Sequence, residues 1–492
     1  MISSNFSIIP SHLKDRNVKL IFSILLMCFY FIIFSRITRS VFTDTAVVDG
    51  DSRDYQSLGV NFAKGHGFPK NGPFEDAKQY KFDSVKDSTV MKRFMKQLNT
   101  NNFYRTPGYP LFVGIIYKIF GVSPFIVKYI QLLLLIIVAG FLPWIGYHFW
   151  QNNGFISGLI ASPLYIINNY LTAANILSES LITFSLFLIL ILYIYSESRK
   201  TTFSFGMLGI SFGIGLLIKG SLIFIPPLFF LYLGIKYYKT PNKKDLKKIL
   251  IIFSFFVLTI LPWSLYASLK TNSFVLLSTQ TEKIIMHSNN EDCIDGDWHH
   301  EWKNIGGEKY FYTHDGMENA SSSSRVLNFY NQNINLLPEI MIGKIQRGFA
   351  SFTSFLLILL LYIVEFYALL LNKYFKNIAI HLFYVFFSIV FIVLLLGFKF
   401  NLPFNFNCIK MLFLLILPSL FFFREKLFKV PVLFYIYFIN LLLITIIFSG
   451  EPRYVGVMSF IFILISIQYS VELILSLFQN NNEIEKNHRI QV

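Results

Sequence analysis

The stretch Asp49-Gly50-Asp51-Ser52-Arg53-Asp54-Tyr55-Gln56-Ser57-Leu58-Gly59 interrupts an otherwise apolar chain, and its reading decides how the rest is arranged. Gly65-His66-Gly67-Phe68 follows, and Tyr104-Arg105-Thr106-Pro107-Gly108-Tyr109-Pro110-Leu111-Phe112 closes the segment. A polar, charged region from about Thr43 to Gly121 therefore separates the first apolar run from all later ones. Carboxylates beside hydrocarbon are costly and are kept where they have a use. The region is a candidate active site at a membrane surface.

Composition points the same way. Of 492 residues, 54% are hydrophobic, 18% aromatic and only 14% charged, with a mean hydropathy of +0.54; a soluble domain carries about 25% charged residues. The solvent for most of this chain is lipid. A formal charge of +15 would suggest nucleic acid in a soluble protein, but the Lys and Arg residues sit in short clusters between apolar runs. That is a topology signal, and nucleic acid is set aside as a partner. Cys28 and Cys408 lie in or beside apolar runs and only Cys293 lies in a long polar loop, so no disulfide framework can be argued. The first apolar run, from about Lys19 to Phe34, follows Lys14 and Arg16 and lacks a small-x-small cleavage site, as in a retained signal anchor.

A spanning helix needs about 20 apolar residues. That rule places spans near 19–42, 124–149, 154–174, 177–197, 203–218, 220–238, 248–268, 350–372, 377–398, 406–423, 429–448 and 455–478. The run Phe203 to Tyr238 would be roughly 54 Å long as one helix, so Lys219-Gly220 is read as a tight turn between two short spans. Gly108 to Phe120 is short enough to be re-entrant or interfacial. If it does not span, one side receives Lys14 and Arg16, Arg199 and Lys200, the lysines of Lys236 to Lys248, Lys373 and Lys376, Arg424 to Lys429, and Lys486 with Arg489. The short connections on the other side then hold only Lys219, Lys399, Lys410 and Arg453. This satisfies the positive-inside rule with both termini inside, whereas a spanning 108–120 would invert it.

The expected fold is thus an all-α polytopic membrane protein of about twelve transmembrane helices. Its parts are a cytoplasmic N-terminus and first span (1–42), an external catalytic loop with juxtamembrane helices (43–121), a bundle (122–268), a long external loop (269–348), a second bundle (349–478) and a cytoplasmic tail (479–492). No internal repeat is visible, which counts against a transporter.

Asp51-x-x-x-Tyr55 would set both side chains on one face of a helix. Asp49 and Asp54 stand close by, and crowded carboxylates beside a low-dielectric wall can shift a pKa into the range of a base. A solvated acidic loop explains the spacing equally well. Gly65-x-Gly67 and Pro107-Gly108-x-Pro110 mark tight turns. Arg105, Glu179, Lys219 and Arg453 fall at helix ends on the side of the Asp51 cluster. A single such cation usually snorkels to the interface, but several on one face suggest a shared pocket in which cations hold a phosphate and Glu179 orients one of them or binds a metal. His299 and His300 with Asp295, Asp297 and Glu301 match no strong metal spacing and read as a solvated loop.

Taken together, Asp51-x-x-x-Tyr55-x-x-Leu58, Gly65-x-Gly67-Phe68, Arg105-Thr-Pro-Gly-Tyr109-Pro-Leu-Phe, Lys128-Tyr-Ile-Gln131, Ile176-Leu-Ser-Glu179-Ser-Leu, Leu217-Ile-Lys219, Pro262-Trp263 and Glu451-Pro-Arg453-Tyr454 resemble the bacterial membrane glycosyltransferases of the dolichyl-phosphate-mannose protein mannosyltransferase type. Lipid A aminoarabinose transferases and other polyprenyl-phosphate-dependent transferases are similar proteins. The resemblance runs from the first helix to the last and rests on the order of the motifs. It implies the GT-C architecture, an active site on the periplasmic face of the inner (plasma) membrane, and a polyprenyl-phosphate sugar donor. Asp51 of the D-x-x-x-Y motif carries over as the catalytic residue, with Glu179 and Lys219 as the acidic and basic residues of the external turns. Relatives often follow Pro-Trp with Arg-Asn, whereas this chain has Tyr266-Ala267.

The chemistry fits such residues. Transfer from a phosphate-linked lipid needs a base for the acceptor proton, and cations can neutralise the leaving phosphate in place of an acid. Asp51 and Glu179 are the candidate catalytic residues. Asp54, Tyr55, Arg105, Tyr109, Lys219, Arg453 and Tyr454 are the candidate substrate-binding residues, with Asp54 expected beside Arg53 or in solvent. The expected partners are the polyprenyl-phosphate donor, a lipid, glycan or protein acceptor, and membrane lipids. The residues point to no certain cofactor, and the acidic residues leave room for a divalent metal. The competing reading is a non-enzymatic flippase or exporter of a lipid-linked saccharide, which would line its path with intramembrane charges that are scarce here.

Overall fold

The computed structural model describes residues 16–47, 50–67, 81, 103–297, 303–305, 308–310, 321–348, 430–468, 471–472 and 475. Apart from the two-stranded antiparallel hairpin β1 (Lys303–Ile305) and β2 (Glu308–Tyr310), the described elements are helical. In chain order they are α1 (Arg16–Thr38), α2 (Gly50–Ala63), α3 (Gly108–Phe120), α4 (Pro124–Asn169), α5 (Glu179–Arg199), α6 (Thr202–Ile218), α7 (Ile225–Lys239), α8 (Lys243–Thr271), α9 (Gln280–His287), α10 (Ser322–Gln332), α11 (Leu337–Gly348), α12 (Val432–Ile447) and α13 (Pro452–Val457). A further apolar helix, α14, covers Ser459–Gln468.

Among the described residues, five helical stretches are long and apolar enough to cross a membrane: Val18–Thr38, Pro124–Ala174, Glu179–Arg199, Gly220–Lys239 and Lys243–Thr271. The second contains two of the expected spans. Trp150 and Gln151 leave helical geometry, with Gln151 at φ 56°, and split α4 into two arms. The arms touch at Gly146 and Gly154, where a Cβ on either would stand about 2 Å from the other's carbonyl oxygen. The expected spans 350–372, 377–398 and 406–423 lie outside the described residues.

The helix boundaries follow local chemistry. Lys200 takes a left-handed φ of 54° and stops α5, and Thr201 and Ser204 form a reciprocal capping box that starts α6. α6 ends at Ile218 because Lys219 is extended (φ −157°, ψ 132°), and α7 begins only after a short 3-10 turn over Gly220–Leu222. The turn expected at Lys219-Gly220 is therefore present. On α1, Ile21, Leu25, Phe29 and Ile32 are exposed along one stripe, as a lipid-facing surface requires. The core between the helices contains fully buried Tyr109, Tyr165, Phe212, Phe229 and Tyr437.

Polar contacts sort to the two ends of the bundle. At one end Lys19 Nζ donates to Asn152 Oδ1 at 3.2 Å and sits 3.3 Å above the Tyr147 ring. Lys248, near the start of α8, pairs with Glu197, near the end of α5. At the other end α2 packs along α3, and Lys128 Nζ donates to Thr43 O, Thr43 Oγ1 and Thr45 O at 2.9–3.0 Å, tying down the connection that leads into α2. That end carries the candidate site.

Candidate active site

Four separate connections meet here, and each is fixed by backbone. Gly108 opens α3 so close to α6 that a Cβ would stand 2.7 Å from the backbone of Leu217 and Ile218. Thr106 Oγ1 donates to Ile218 O at 2.8 Å. Arg105 and Lys219, distant in sequence, are thereby held on neighbouring strands of chain. Glu179 is the first residue of α5, and Arg453 lies in the first turn of α13.

Asp51 stands in the first turn of α2. Its Oδ1 is 2.6 Å from Arg105 Nη2, and its Oδ2 accepts from Arg453 Nη1 at 2.8 Å. Arg105 also donates to Asp54 Oδ2 from Nε at 3.0 Å and from Nη2 at 2.8 Å, and to Gln280 Oε1 from Nη1 at 3.1 Å. Arg53 Nε donates to Asp54 Oδ1 at 3.2 Å. Asp54 is thus the neighbour of Arg53 that the sequence suggested, and Arg105 bridges it to Asp51 as well.

Glu179 is buried, and its Oε1 accepts from Lys219 Nζ at 3.1 Å and from Arg453 Nη1 at 3.5 Å. Glu179 Oε2 makes no hydrogen bond to any described residue. Glu451 Oε2 stands at ion-pair distance, 3.4 Å, from Arg453 Nε. Arg453 therefore links Asp51 to Glu179, and the two candidate catalytic acids belong to one network.

The aromatic residues build the floor. Tyr55 meets Tyr109 edge to face with ring centres 4.7 Å apart, and the Arg105 guanidinium carbon lies 5.4 Å from the Tyr55 ring and 5.1 Å from that of Tyr104. Tyr109 is fully buried, and its hydroxyl donates to Gln131 Oε1. Gln131 is held in turn by Ala173 O and Asn175 O. Tyr109 thus supports Tyr55 from below. The Tyr454 ring lies 5.6 Å from Lys219 Nζ, a cation–π distance. All nine candidate residues converge on this end of the bundle.

The electrostatics differ from the expectation that crowded acids would raise the pKa of Asp51. Burial does push the Asp51 carboxyl up, but the charges of Arg105, Arg453 and Lys219 outweigh it and hold the group well below the usual carboxylate range. Burial opposes the charge of Lys219 as well, and Glu179 more than restores it. Asp51 rests as a carboxylate clamped by two guanidinium groups.

Asp49, Phe68 and the segment Trp298 to Glu301 with both its histidines lie outside the described residues. Asp297 instead pairs with Arg347 at 2.6 Å. Among the described residues no group of three or more His, Cys, Asp or Glu side chains is arranged to hold a metal ion. Sequence reasoning missed Gln280 and Tyr104. Tyr104 directly precedes Arg105, but no local signal marks Gln280, which belongs to a polar loop far from Arg105 in sequence.

Residues 104–266 match the family model described as dolichyl-phosphate-mannose-protein mannosyltransferase. The matched segment contains Arg105, Tyr109, Glu179 and Lys219, with Asp51 and Arg453 on either side of it. No curated protein and no solved structure matches the chain. The match, together with the apolar helices, supports a membrane glycosyltransferase of the mannosyltransferase-like type.

Proposed function

We propose that the protein transfers a sugar from a polyprenyl-phosphate donor to a lipid, glycan or protein acceptor, with inversion. Asp51 is the general base, and Arg105, Lys219 and Arg453 receive the donor phosphate. The observation that carries this reading is the position of Asp51 between Arg105 and Arg453, with Lys219 joined to Arg453 through Glu179. A base and a set of phosphate-binding cations are the two things such a transfer needs. The GT-C architecture, the external position of 43–121 and 269–348, and residence in the inner membrane belong to the same proposal.

In the resting arrangement Asp51 is a weak base, because both guanidinium groups stabilise its charge. A donor phosphate offers those guanidinium groups a second anion, and fork-shaped donors suit phosphate oxygens as well as carboxylate oxygens. As Arg105 and Arg453 turn to the phosphate, Asp51 loses stabilisation and its affinity for a proton rises. The acceptor hydroxyl gives its proton to Asp51 while its oxygen attacks the anomeric carbon. The bond from that carbon to the phosphate oxygen breaks, and the electron pair leaves on the phosphate, where the cations neutralise it. Glu179 keeps Lys219 and Arg453 oriented throughout.

The test is transfer, or slow hydrolysis, of a radiolabelled polyprenyl-phosphate sugar by purified protein in detergent. Turnover that disappears in Asp51→Asn at equal protein abundance is expected. Binding of polyprenyl phosphate without any turnover would instead favour a lipid-linked saccharide flippase.

A further inference from the structure

The segment 269–348, which the catalytic reading leaves without a role, touches Arg105 directly and grips the chain that leads into Arg453. At its near end Gln280, the first residue of α9, accepts from Arg105, and Thr279 N donates to Phe103 O at 2.8 Å. α9 is eight residues long, about 12 Å. Just beyond its far end Asn289 is buried, and its Nδ2 donates to Ile447 O at 3.0 Å, at the last turn of α12. Lys344 on α11 is fully buried, and its Nζ donates to Asn289 Oδ1 at 2.6 Å and to Ile446 O at 3.0 Å. Tyr330 adds a third contact, donating from its hydroxyl to Asn289 Oδ1 at 2.7 Å.

The grip continues toward Arg453. Gly450 N donates to Gly296 O at 3.0 Å, and a Cβ on Gly450 would stand 2.2 Å from Lys344 O. The chain from the last turn of α12 to Arg453 is thus held at Ile446, Ile447 and Gly450 by residues of the segment 269–348. No carboxylate among the described residues pairs with Lys344. A buried ammonium served, among the described residues, by an amide oxygen and a carbonyl oxygen is a costly way to dock a loop, and an apolar residue of similar length would dock it as well. What the ammonium adds is direction, because it joins Asn289 to the end of α12 through two hydrogen bonds.

We infer that α9 is a strut that fixes the spacing of Arg105 and Arg453, with Gln280 and Lys344 as positioning residues at its two ends. The circuit closes through Asp51, which both arginines hold. A change at either end is therefore felt at the other. The consequence for donor binding rests on the proposed function, but the mechanical coupling does not.

The experiment uses the full-length protein in detergent and compares the wild type with Gln280→Ala, Lys344→Met and the double variant. Hydrogen exchange is the first readout and needs no ligand. Gln280→Ala is expected to speed amide exchange about tenfold at residues 449–455, at the far end, and Lys344→Met to do the same at residues 103–107. If each variant loosens only its own end, the strut is refuted. Affinity for polyprenyl phosphate is the second readout. Each single variant should weaken it about three- to tenfold, and the double variant no further than the weaker-binding single, because the strut is already cut. Two penalties that multiply would mean independent anchors and overturn the proposal. If Arg105→Ala and Arg453→Ala bind polyprenyl phosphate like the wild type, the phosphate reading fails while the exchange result still decides the strut. Should Lys344→Met not fold, Asn289→Ser cuts the same end with a smaller change.

Discussion

Replacing Asp51 by Asn should move two measured quantities in opposite directions. Asn keeps the size and one acceptor oxygen of Asp51 but cannot take a proton, so transfer should slow by about 10²- to 10⁴-fold, the usual worth of general-base help. Donor binding should tighten. In the resting site Asp51 competes for Arg105 Nη2 at 2.6 Å and Arg453 Nη1 at 2.8 Å, and a phosphate must displace it from at least one of them. A charge-assisted hydrogen bond is worth about 1.5–3 kcal/mol, so removing the competitor should strengthen polyprenyl-phosphate binding roughly 10- to 100-fold. The assay pairs single-turnover transfer from a polyprenyl-phosphate sugar with titration of polyprenyl phosphate, both on purified protein of equal thermal stability. Near-normal turnover in Asp51→Asn would refute the assignment of the base. Slow turnover with weaker binding would show that Asp51 only holds the arginines in place.

Other expectations follow from the same geometry. Arg105→Ala and Lys219→Ala should each weaken donor binding by about 1.5–3 kcal/mol; unchanged affinity in both would reduce them to snorkelling or structural cations. Because Arg105, Arg453 and Lys219 hold Asp51 well below the usual carboxylate range, the kcat/KM profile should show no acid limb from Asp51 above about pH 4, and an acid limb near pH 6 would contradict the clamped resting state. Lys344 provides a stability test: burial lowers its pKa from 10.5 to about 8, with a smaller opposing effect from Cys293. The unfolded chain then binds more protons between those values, so stability should rise with pH across that window, by roughly 3 kcal/mol in all. Lys344 meets Asn289 and feels Cys293, with Tyr330 on the same Asn289 oxygen, so the comparison of wild type with Lys344→Met belongs in a Cys293→Ala background, and a melting temperature that follows the same pH curve in both would refute it. Reporter fusions should place 43–107 and 270–348 outside and the lysine-rich 236–248 loop inside, and an external 236–248 loop would reverse the side of the chemistry.

Much of the helical order was legible because its signals are local. Apolar length marks the spans, and the arms of α4 separate at Trp150–Gln151 close to where the runs 124–149 and 154–174 divide. Lys219 could be recognised as a turn residue because α6 and α7 together are too long for one membrane crossing. The convergence of the candidate residues was legible for a different reason: charges placed at the ends of apolar helices have few places to go except a shared polar end. The pKa of Asp51 was not legible, because it depends on Arg105 lying 2.6 Å away and Arg453 2.8 Å away, and sequence gives neither distance. Gln280, Asn289 and Lys344 were hidden for the same reason. Each is an ordinary polar residue in a long loop, and only the contacts with Arg105, Ile446 and Ile447 separate them from a solvated connection.

The charge distribution fits a cluster so full of ion pairs to the proposed transfer. Arg53, Arg105, Lys219 and Arg453 face Asp51, Asp54, Glu179 and Glu451, so the resting cluster is already neutralised within itself. A sugar-bearing polyprenyl phosphate is a diester with a single negative charge, whereas the released lipid phosphate is a monoester with a charge of about −1.5 to −2 near pH 7. On the proposed mechanism Asp51 becomes neutral, by taking the acceptor proton, at the moment when the phosphate gains its second charge. The total charge facing the arginines stays nearly constant while its location shifts from carboxylate to phosphate. Arg105 and Arg453 need only exchange one oxygen partner for another, within a frame that Glu179, Asp54 and Gln280 hold in place. Little reorganisation is then needed at the transition state, which is the condition under which preorganised charges lower a barrier most. The same argument gives Glu179 its separate task. On the proposed mechanism its contacts with Lys219 at 3.1 Å and Arg453 at 3.5 Å share those cations with the phosphate, so the lipid phosphate product is not held so strongly that it cannot leave.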